Sequence, residues 1–186
     1  EFLRLVTVGR ISRSKNIRVM LEAVALLPKN GVPYRLTIVG APMTKDDEKY
    51  ADELMQVIDD LHLQGFVGFA GAKEHAEIPA LLASADVFVH AGGTGSLDKA
   101  MLEAMAAGCV VVSSNDAAKP ILRMIQDGLG VERPEPDLFA YALRSVYELG
   151  AAARAQAGER ARALVTEKHS LDKLIERLVW ILQGNK

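Results

Sequence analysis

The chain has 186 residues, enough for one domain with a full hydrophobic core, and its 49% apolar and 25% charged residues are typical of a globular protein. Its net charge of −2 gives no electrostatic basis for binding nucleic acid or an anionic membrane surface. It has one cysteine, no run of the roughly 18 apolar residues that a membrane-spanning helix needs, and no Cys/His cluster with metal-ligand spacing. We therefore expect a cytoplasmic protein without a transmembrane segment or a bound metal ion.

Short apolar runs recur along the chain and predict the strands of a sheet. The chain begins at Glu1 rather than at a methionine and enters the first run at once, so we expect a piece of a longer protein. The run from Val110 to Ser114 is apolar and β-branched at its core, as strands buried on both faces tend to be. The six predicted strands span residues 3–8, 34–40, 66–71, 86–90, 110–114 and 130–131.

Segments with a helical spacing of apolar residues separate the predicted strands. The first stops at Pro28, and Thr44 is placed to cap the second. Strands separated by single helices favour a right-handed parallel βαβ array, so we predict an α/β, Rossmann-like parallel six-stranded sheet with helices on both faces. The predicted helices span about 17–27, 45–61, 77–84, 99–107, 119–127, 137–149, 151–167 and 171–183.

The glycine-rich stretch from Gly92 to Gly108 follows the fourth predicted strand and continues into a helix. Glycines let the backbone turn tightly and leave peptide N–H groups uncovered. The helix that follows directs the positive end of its dipole towards the same place. Strand, turn and helix together favour an anion site; the alternative is a loop that needs glycine only for its backbone angles.

Two basic residues, Arg10 and Lys15, lie in the loop after the first predicted strand. Arginine offers a planar fork to a phosphate, and lysine offers a mobile point charge. Because parallel strands present their carboxyl ends at one edge of the sheet, this loop can face the anion site. The alternative is that both side chains are simply solvated.

Four further residues stand out near the glycine-rich stretch. Glu103 is acidic within an apolar helical run, where ribose hydroxyls, a structural cap or an internal ion pair are its suitable partners. Asp98 favours the helix dipole and can also receive sugar hydroxyls. His90, at a strand end, is interpreted as a cleft wall or a hydrogen-bonded residue rather than a catalyst, because the sequence places no carboxylate to orient it. Cys109 is interpreted as a small core side chain.

Together these motifs resemble the C-terminal, nucleotide-sugar-binding domain of family 4 retaining glycosyltransferases, the glycosyltransferase group 1 domain of the two-domain GT-B fold. The loop from Gly9 to Asn16 resembles the family's GR-x4-K-G loop, with Asn16 where glycine is usual. The stretch from Leu102 to Gly108 resembles its LEAMA-x-G helix. The resemblance covers nearly the whole chain, so we expect residues 1–186 to form one donor-binding domain, the C-terminal half of a GT-B fold.

Carried over position by position, the resemblance implies a site for a nucleotide-diphosphate sugar, which is a substrate, so no cofactor is expected. Arg10 and Lys15 would bind the donor diphosphate, and Glu103 would take the ribose hydroxyls. The remaining implied contacts are with the diphosphate at Gly95, Ser96, Leu97, Asp98 and Lys99, and with the base at Gly71 and Ala72.

The sequence departs from the family at the first glutamate of its E-x7-E motif. That position, eight residues before Glu103, is Gly95. In the family this glutamate contacts the donor sugar, and Asp98, one turn further on, is our hypothetical substitute. Glu103 and Asp98 are therefore the candidate catalytic residues.

The resemblance implies the donor half of a retaining transferase that moves a sugar from a nucleotide-diphosphate sugar to an acceptor. The acceptor contacts would come from an N-terminal domain of the same polypeptide, so we expect this chain to bind nucleotide without turning over by itself. Peripheral membrane contact of the full-length enzyme stays open, and no residue here carries it. Two alternatives remain: a nucleotide-sugar epimerase on the same fold, and a degenerate binding module that kept Arg10 and Glu103 but lost activity with the glutamate at position 95.

Overall fold

The computed structural model describes residues 2–93, 95–169 and 171–183, and its apolar runs pair into a parallel sheet of five strands. The strands lie in the order β3-β2-β1-β4-β5, so the strand order reverses between β1 and β4. In such sheets the crevice at the reversal point is where ligands bind. The strands are β1 (Leu3–Val8), β2 (Tyr34–Val39), β3 (Val67–Gly71), β4 (Val87–His90) and β5 (Val110–Ser113).

The expectation of a sixth strand at Gly130 and Val131 is wrong. These residues make one isolated parallel bridge, in which Gly130 pairs with Ser113 and the N–H of Val131 donates to the Ser113 carbonyl over 2.8 Å. Pro134 and Pro136 follow closely, and proline has no N–H to donate to a ladder. Pairing therefore stops after a single bridge.

Each predicted helix is present in the described part of the chain, with its ends shifted by a few residues. Thr44 caps α2 as expected, because its hydroxyl accepts from the N–H of Asp47 over 3.1 Å. The helices are α1 (Ile17–Leu26), α2 (Lys45–Asp60), α3 (Ile78–Ala83), α4 (Lys99–Ala106), α5 (Lys119–Ile125), α6 (Pro136–Glu148), α7 (Gly150–His169) and α8 (Leu171–Leu182).

Two groups of helices cover the two faces of the sheet. Helix α1 packs against α2 and α6, whereas α4 packs against α3 and α7. Right-handed crossovers explain this division, because β2 and β3 are added towards one edge of the sheet and β5 towards the other. The α/β, Rossmann-like arrangement predicted from the sequence is confirmed. Its largest fully buried side chains include Phe88, Phe139, Leu5, Leu36, Ile38 and Met101.

A pair of glycines brings α7 against the end of α4. A Cβ atom on Gly158 would lie 2.0 Å from the carbonyl oxygen of Gly108, so only glycine fits there. Arg162 of α7 donates to the carbonyls of Ala106 and Ala107 over 3.1 and 2.9 Å. Helix ends leave such carbonyls without intrahelical partners. Together these contacts fix α4, whose first turns face the carboxyl edge of the sheet.

Helix α8 follows α7 and leaves apolar side chains exposed, with Trp180 48% exposed. Among the residues that the structure describes, no helix combines the length and the hydropathy needed to cross a membrane.

Candidate functional site

A cleft of ≈ 410 Å³ opens at the carboxyl edge of the sheet, between the ends of β1 to β3 and the first turns of α4. This is the side of the sheet on which parallel α/β folds bind ligands, next to the point where the strand order reverses. The cleft is lined by Val8, Gly9, Val39, Gly40, Ala72, Lys73, His75, Ile78, Asp98, Lys99, Ala100 and Glu103.

Two glycines form the floor of the cleft where β1 and β2 end. A Cβ atom on Gly40, which has φ +137°, would lie 1.9 Å from the carbonyl oxygen of Gly9. The N–H of Gly9 donates to the carbonyl of Val39 over 3.0 Å, so the two chains stay together as they leave the sheet. The close approach requires glycine and leaves main-chain groups at the floor.

Asn16 joins the loop after β1 to the loop after β4. Its backbone lies in the left-handed region, with φ 49° and ψ 39°, which asparagine tolerates better than most residues. This conformation explains why asparagine stands where the resemblance leads one to expect glycine. The side-chain amide of Asn16 also donates to the carbonyl of Ala91 over 2.9 Å. The basic loop and the glycine-rich loop are therefore tied together.

The carboxylate of Asp98 is the centre of a polar network in the cleft. It caps α4 by accepting from the N–H of Ala100 over 3.1 Å, and it also accepts from Nε2 of His90 over 3.2 Å and from the ammonium of Lys15. The hydrogen bond from His90, with those from Lys15 and Ala100, holds the pKa of Asp98 well below its usual range, although burial acts in the opposite direction. Asp98 is therefore ionised at neutral pH.

His90 is 3% exposed and has a hydrogen-bond partner at each ring nitrogen. Nε2 contacts the carboxylate of Asp98, and Nδ1 lies 3.1 Å from the hydroxyl oxygen of Ser113. That hydroxyl oxygen in turn accepts from the N–H of Asn115 over 3.0 Å. The geometry agrees with the interpretation of His90 as a hydrogen-bonded residue, but Asp98 supplies the orienting carboxylate that the sequence did not reveal.

Asn115 was not predicted from the sequence, although it holds the loop that precedes α4. It is fully buried, its side-chain amide donates to the carbonyl of Ser96 over 2.9 Å, and its Oδ1 accepts from the N–H of Ala118 over 3.2 Å. The sequence feature that could have indicated Asn115 is the polar run Ser113-Ser114-Asn115, which directly follows the apolar residues 110–112. Such a run marks polar groups at the carboxyl edge of a sheet.

Glu103 faces the cleft from the second turn of α4. Its side chain is 28% exposed, and the ammonium of Lys99 lies 3.4 Å from its Oε1. The internal ion pair that the sequence left open is therefore present. Because the Lys99 side chain is 80% exposed, this partner is one that a ligand can displace.

The other residues predicted to contact the donor differ in their positions relative to the cleft. Arg10 is not among its lining residues; Nε of its half-exposed side chain lies 3.8 Å from Oδ2 of Asp47. Ala72 lines the cleft directly after Gly71, the last residue of β3. Leu97 packs against the core.

Gly95 and Ser96 lie in the exposed turn before α4. A Cβ atom on Gly95 would meet nothing within 4 Å, so this position has room for a side chain. Thr94 lies outside the described residues.

Cys109 lies away from this network, in the core. It is 1% exposed, and burial raises the pKa of its thiol above the ordinary value. The thiol is therefore protonated and unsuited to nucleophilic attack. Among the described residues, no group of three or more His, Cys, Asp or Glu side chains could hold a metal ion.

Residues 2–164 match the family model for glycosyl transferases group 1. The chain belongs to this family. It is 30% identical over 190 residues to the putative colanic acid biosynthesis glycosyltransferase WcaL of Escherichia coli (strain K12), a match that covers 98% of the chain and 45% of the relative. It is 26% identical over 170 residues to the human GDP-Man:Man(3)GlcNAc(2)-PP-Dol alpha-1,2-mannosyltransferase, covering 87% of the chain and 35% of the relative. This group 1 chain thus spans less than half the length of these relatives.

A solved structure shows the same fold. The crystal structure of Anabaena Alr3699/HepE in complex with UDP-glucose superposes on the group 1 chain with a TM-score of 0.87 and 21% sequence identity. The match covers 99% of this chain and 49% of HepE. The family predicted from the motifs is therefore confirmed by the family model and agrees with the fold of this longer protein.

Proposed function

We propose that the chain is the donor-binding half of a glycosyltransferase that uses a nucleotide-diphosphate sugar. The observation that carries the proposal is the cleft at the carboxyl edge of the sheet. Helix α4 brings Glu103 and its N-terminus to this cleft, and Lys15 contacts the capping residue Asp98 there. Membership of the glycosyl transferases group 1 family supports the reaction class. The UDP-glucose complex of HepE and the GDP-Man named for the human relative support the donor class.

The diphosphate is assigned to the mouth of the cleft, where α4 begins. The N–H groups of Leu97, Asp98 and Lys99 are at the helix N-terminus, where orphan donors and the dipole favour an anion. Lys15 supplies a cation close to this position, and Arg10 supplies a second from its half-exposed place in the same loop. Exposed Gly95 and Ser96 complete the turn around the phosphates.

The ribose is assigned to Glu103 and the base to the end of β3. A carboxylate accepts from both hydroxyls of a ribose, as an acidic residue does in other nucleotide-binding folds. Glu103 and Ala72 line the same cleft, so a nucleoside can reach from one to the other. The backbone around Gly71 and Ala72 supplies polar groups for the edge of the base.

The chain spans 45% of the length of WcaL, and we assign the acceptor contacts to the part of the polypeptide outside this chain. Residues 1–186 are then one donor-binding domain. Sugar transfer requires both parts, and this chain by itself binds nucleotide without transferring sugar.

A second candidate function is nucleotide binding without transfer, which Gly95 favours because it offers no carboxylate to a donor sugar. The hypothesis that Asp98 supplies this contact stays a prediction, and it requires Asp98→Asn to lower the preference for UDP-glucose over UDP. Since Gly95 has room for a side chain, Gly95→Glu is the complementary test. We expect this change to strengthen UDP-glucose binding relative to UDP; an unchanged ratio would favour the binding module.

Calorimetric titration of the chain with UDP, GDP and ADP tests the proposed site. For an isolated half-site we expect a Kd near one millimolar, about −4 kcal/mol. Glu103→Ala should weaken the preferred nucleotide about tenfold or more, since hydrogen bonds to a charged group contribute about 1.5–3 kcal/mol. Glu148→Ala is the matched control, because Glu148 pairs with Arg144 four residues earlier over 3.4 Å, as Glu103 does with Lys99. Absence of binding by all three nucleotides, both to the folded chain and to the folded Asp98→Asn variant, contradicts the proposal.

A further inference from the structure

The anion position at the start of α4 already holds an anion, the carboxylate of Asp98. Three donors converge on it: the ammonium of Lys15, Nε2 of His90 and the N–H of Ala100. The Asp98 side chain is 16% exposed and lines the cleft. These three donors, each suited to a bound phosphate, are thus already satisfied within the protein.

Lys15 is the donor of greatest consequence, because its ammonium carries a positive charge and contacts the residue that caps α4. Its side chain is 28% exposed and lies beside Gly9, with its Cε 3.5 Å from the position of a Cβ atom on that glycine. A phosphate that reaches the ammonium nitrogen of Lys15 comes close to the negatively charged carboxylate of Asp98, which already contacts that nitrogen. The like charges repel, and the phosphate must share Lys15 or displace Asp98 from it.

The contact with His90 keeps Asp98 in this position. His90 is buried and is held through Ser113, so its Nε2 cannot follow a carboxylate that moves away. Displacing Asp98 therefore breaks the bond to His90 as well as the bond to Lys15. These hydrogen bonds of Asp98 are lost only when the ligand brings negative charge to Lys15.

We propose that Asp98 is an internal counter-ion that competes with the diphosphate of the donor for Lys15. The carboxylate lowers the affinity of the cleft for nucleoside diphosphates and leaves its affinity for nucleosides unchanged. Asp98 is then a specificity-determining residue, which sets how much the phosphates add to binding. This inference rests on the proposed function, since it assigns the diphosphate to the same cleft.

The variant Asp98→Asn removes the negative charge of this side chain and therefore tests the effect of that charge alone. Asparagine caps helices as well as aspartate does and has nearly the same shape, so α4 keeps its cap. Asp60→Asn is the matched control, because it makes the same change at an exposed position at the far end of α2. Circular dichroism establishes that each variant is folded. Lys15→Met, alone and combined with Asp98→Asn, completes a double-mutant cycle.

The readout is the Kd of UDP, GDP, uridine and guanosine, measured by calorimetry at one salt concentration. We expect Asp98→Asn to tighten binding of the preferred diphosphate at least fivefold, with its nucleoside changed less than twofold. In the Lys15→Met background, Asp98→Asn should no longer tighten binding of the diphosphate. Binding of a diphosphate to Asp98→Asn alone, with none to the wild type, supports the inference equally.

Two results would overturn the inference, and they separate it from the proposed function. If the wild-type chain binds a diphosphate and Asp98→Asn binds it equally or more weakly, the inference fails and the donor site stands. If neither protein binds UDP or GDP, while both are folded, the inference and the proposed function fail together.

Discussion

The side-chain amide of Asn115 donates to the main-chain carbonyl of Ser96 over 2.9 Å and thereby joins the end of β5 to the loop before α4. The main-chain N–H of Asn115 also donates to the hydroxyl of Ser113, which holds His90. Through His90 the same network reaches Asp98, the cap of α4. One buried residue therefore supports both ends of the turn to which we assign the phosphates.

We predict that Asn115→Ala lowers the free energy of unfolding and weakens nucleotide binding. Removing the side chain takes this donor from the carbonyl of Ser96 and leaves the N–H of Ala118 with its main-chain acceptor at residue 115, at a cost of about 1–3 kcal/mol. Urea unfolding measures the first effect, and calorimetry with the preferred nucleotide measures the second. The control is Asn30→Ala, whose side chain donates to the carbonyl of Leu26 over 3.0 Å at the surface. Equal effects for the two variants would exclude a supporting role for Asn115.

A second prediction concerns the pH dependence of stability. The pKa of Asp98 is lowered in the folded chain, whereas in the unfolded chain it is near the ordinary value of about 4. The charge of Asp98 therefore stabilises the fold above about pH 4, and this contribution is lost as the pH falls further. At pH 7 we expect Asp98→Asn to lower Tm by about 2–4 °C, the shift that 1 kcal/mol gives a domain of this size.

Thermal unfolding of the wild type and Asp98→Asn from about pH 7 to about pH 2 measures the change. The difference in Tm should shrink as the pH falls below about 4, because the unfolded wild type then takes up a proton at Asp98 that the folded chain does not bind. Asp60→Asn, at the exposed end of α2, controls for the loss of a carboxylate in general. A Tm difference that stays constant over this range would show that the charge of Asp98 does not stabilise the fold.

A third prediction concerns the packing that fixes α4. Alanine in place of glycine inside an exposed helix normally adds about 1 kcal/mol of stability. We expect Gly158→Ala to lower the free energy of unfolding by about 1–3 kcal/mol instead, because its Cβ atom would lie 2.0 Å from the carbonyl oxygen of Gly108. Gly68→Ala is the control, since a Cβ atom there meets nothing within 4 Å. Urea unfolding measures the free energy of unfolding of each variant. A Gly158→Ala variant that is more stable than the wild type would rule out the close contact between α7 and α4.

Much of the fold could be predicted because apolar runs and helical spacing alternate along the chain. The prediction of a sixth strand was wrong because the residue pattern at Gly130 and Val131 does not show that pairing ends after one bridge. The sequence indicated Lys15 and Asp98 separately, as a basic loop residue and as an acidic residue at the start of a helix, but their contact joins residues 83 positions apart. Sequence shows which strand ends meet at an edge; it does not show which side chains meet there.

The most direct measurement is a crystal structure of the chain soaked with the nucleoside diphosphate that binds it best. The account predicts ribose hydroxyls within hydrogen-bond distance of Glu103 and phosphates at the N-terminus of α4, with Lys15 turned from Asp98 towards them. Nucleotide bound instead at the opposite edge of the sheet, in the cleft formed by Phe2, Tyr34 and Phe66, would contradict it.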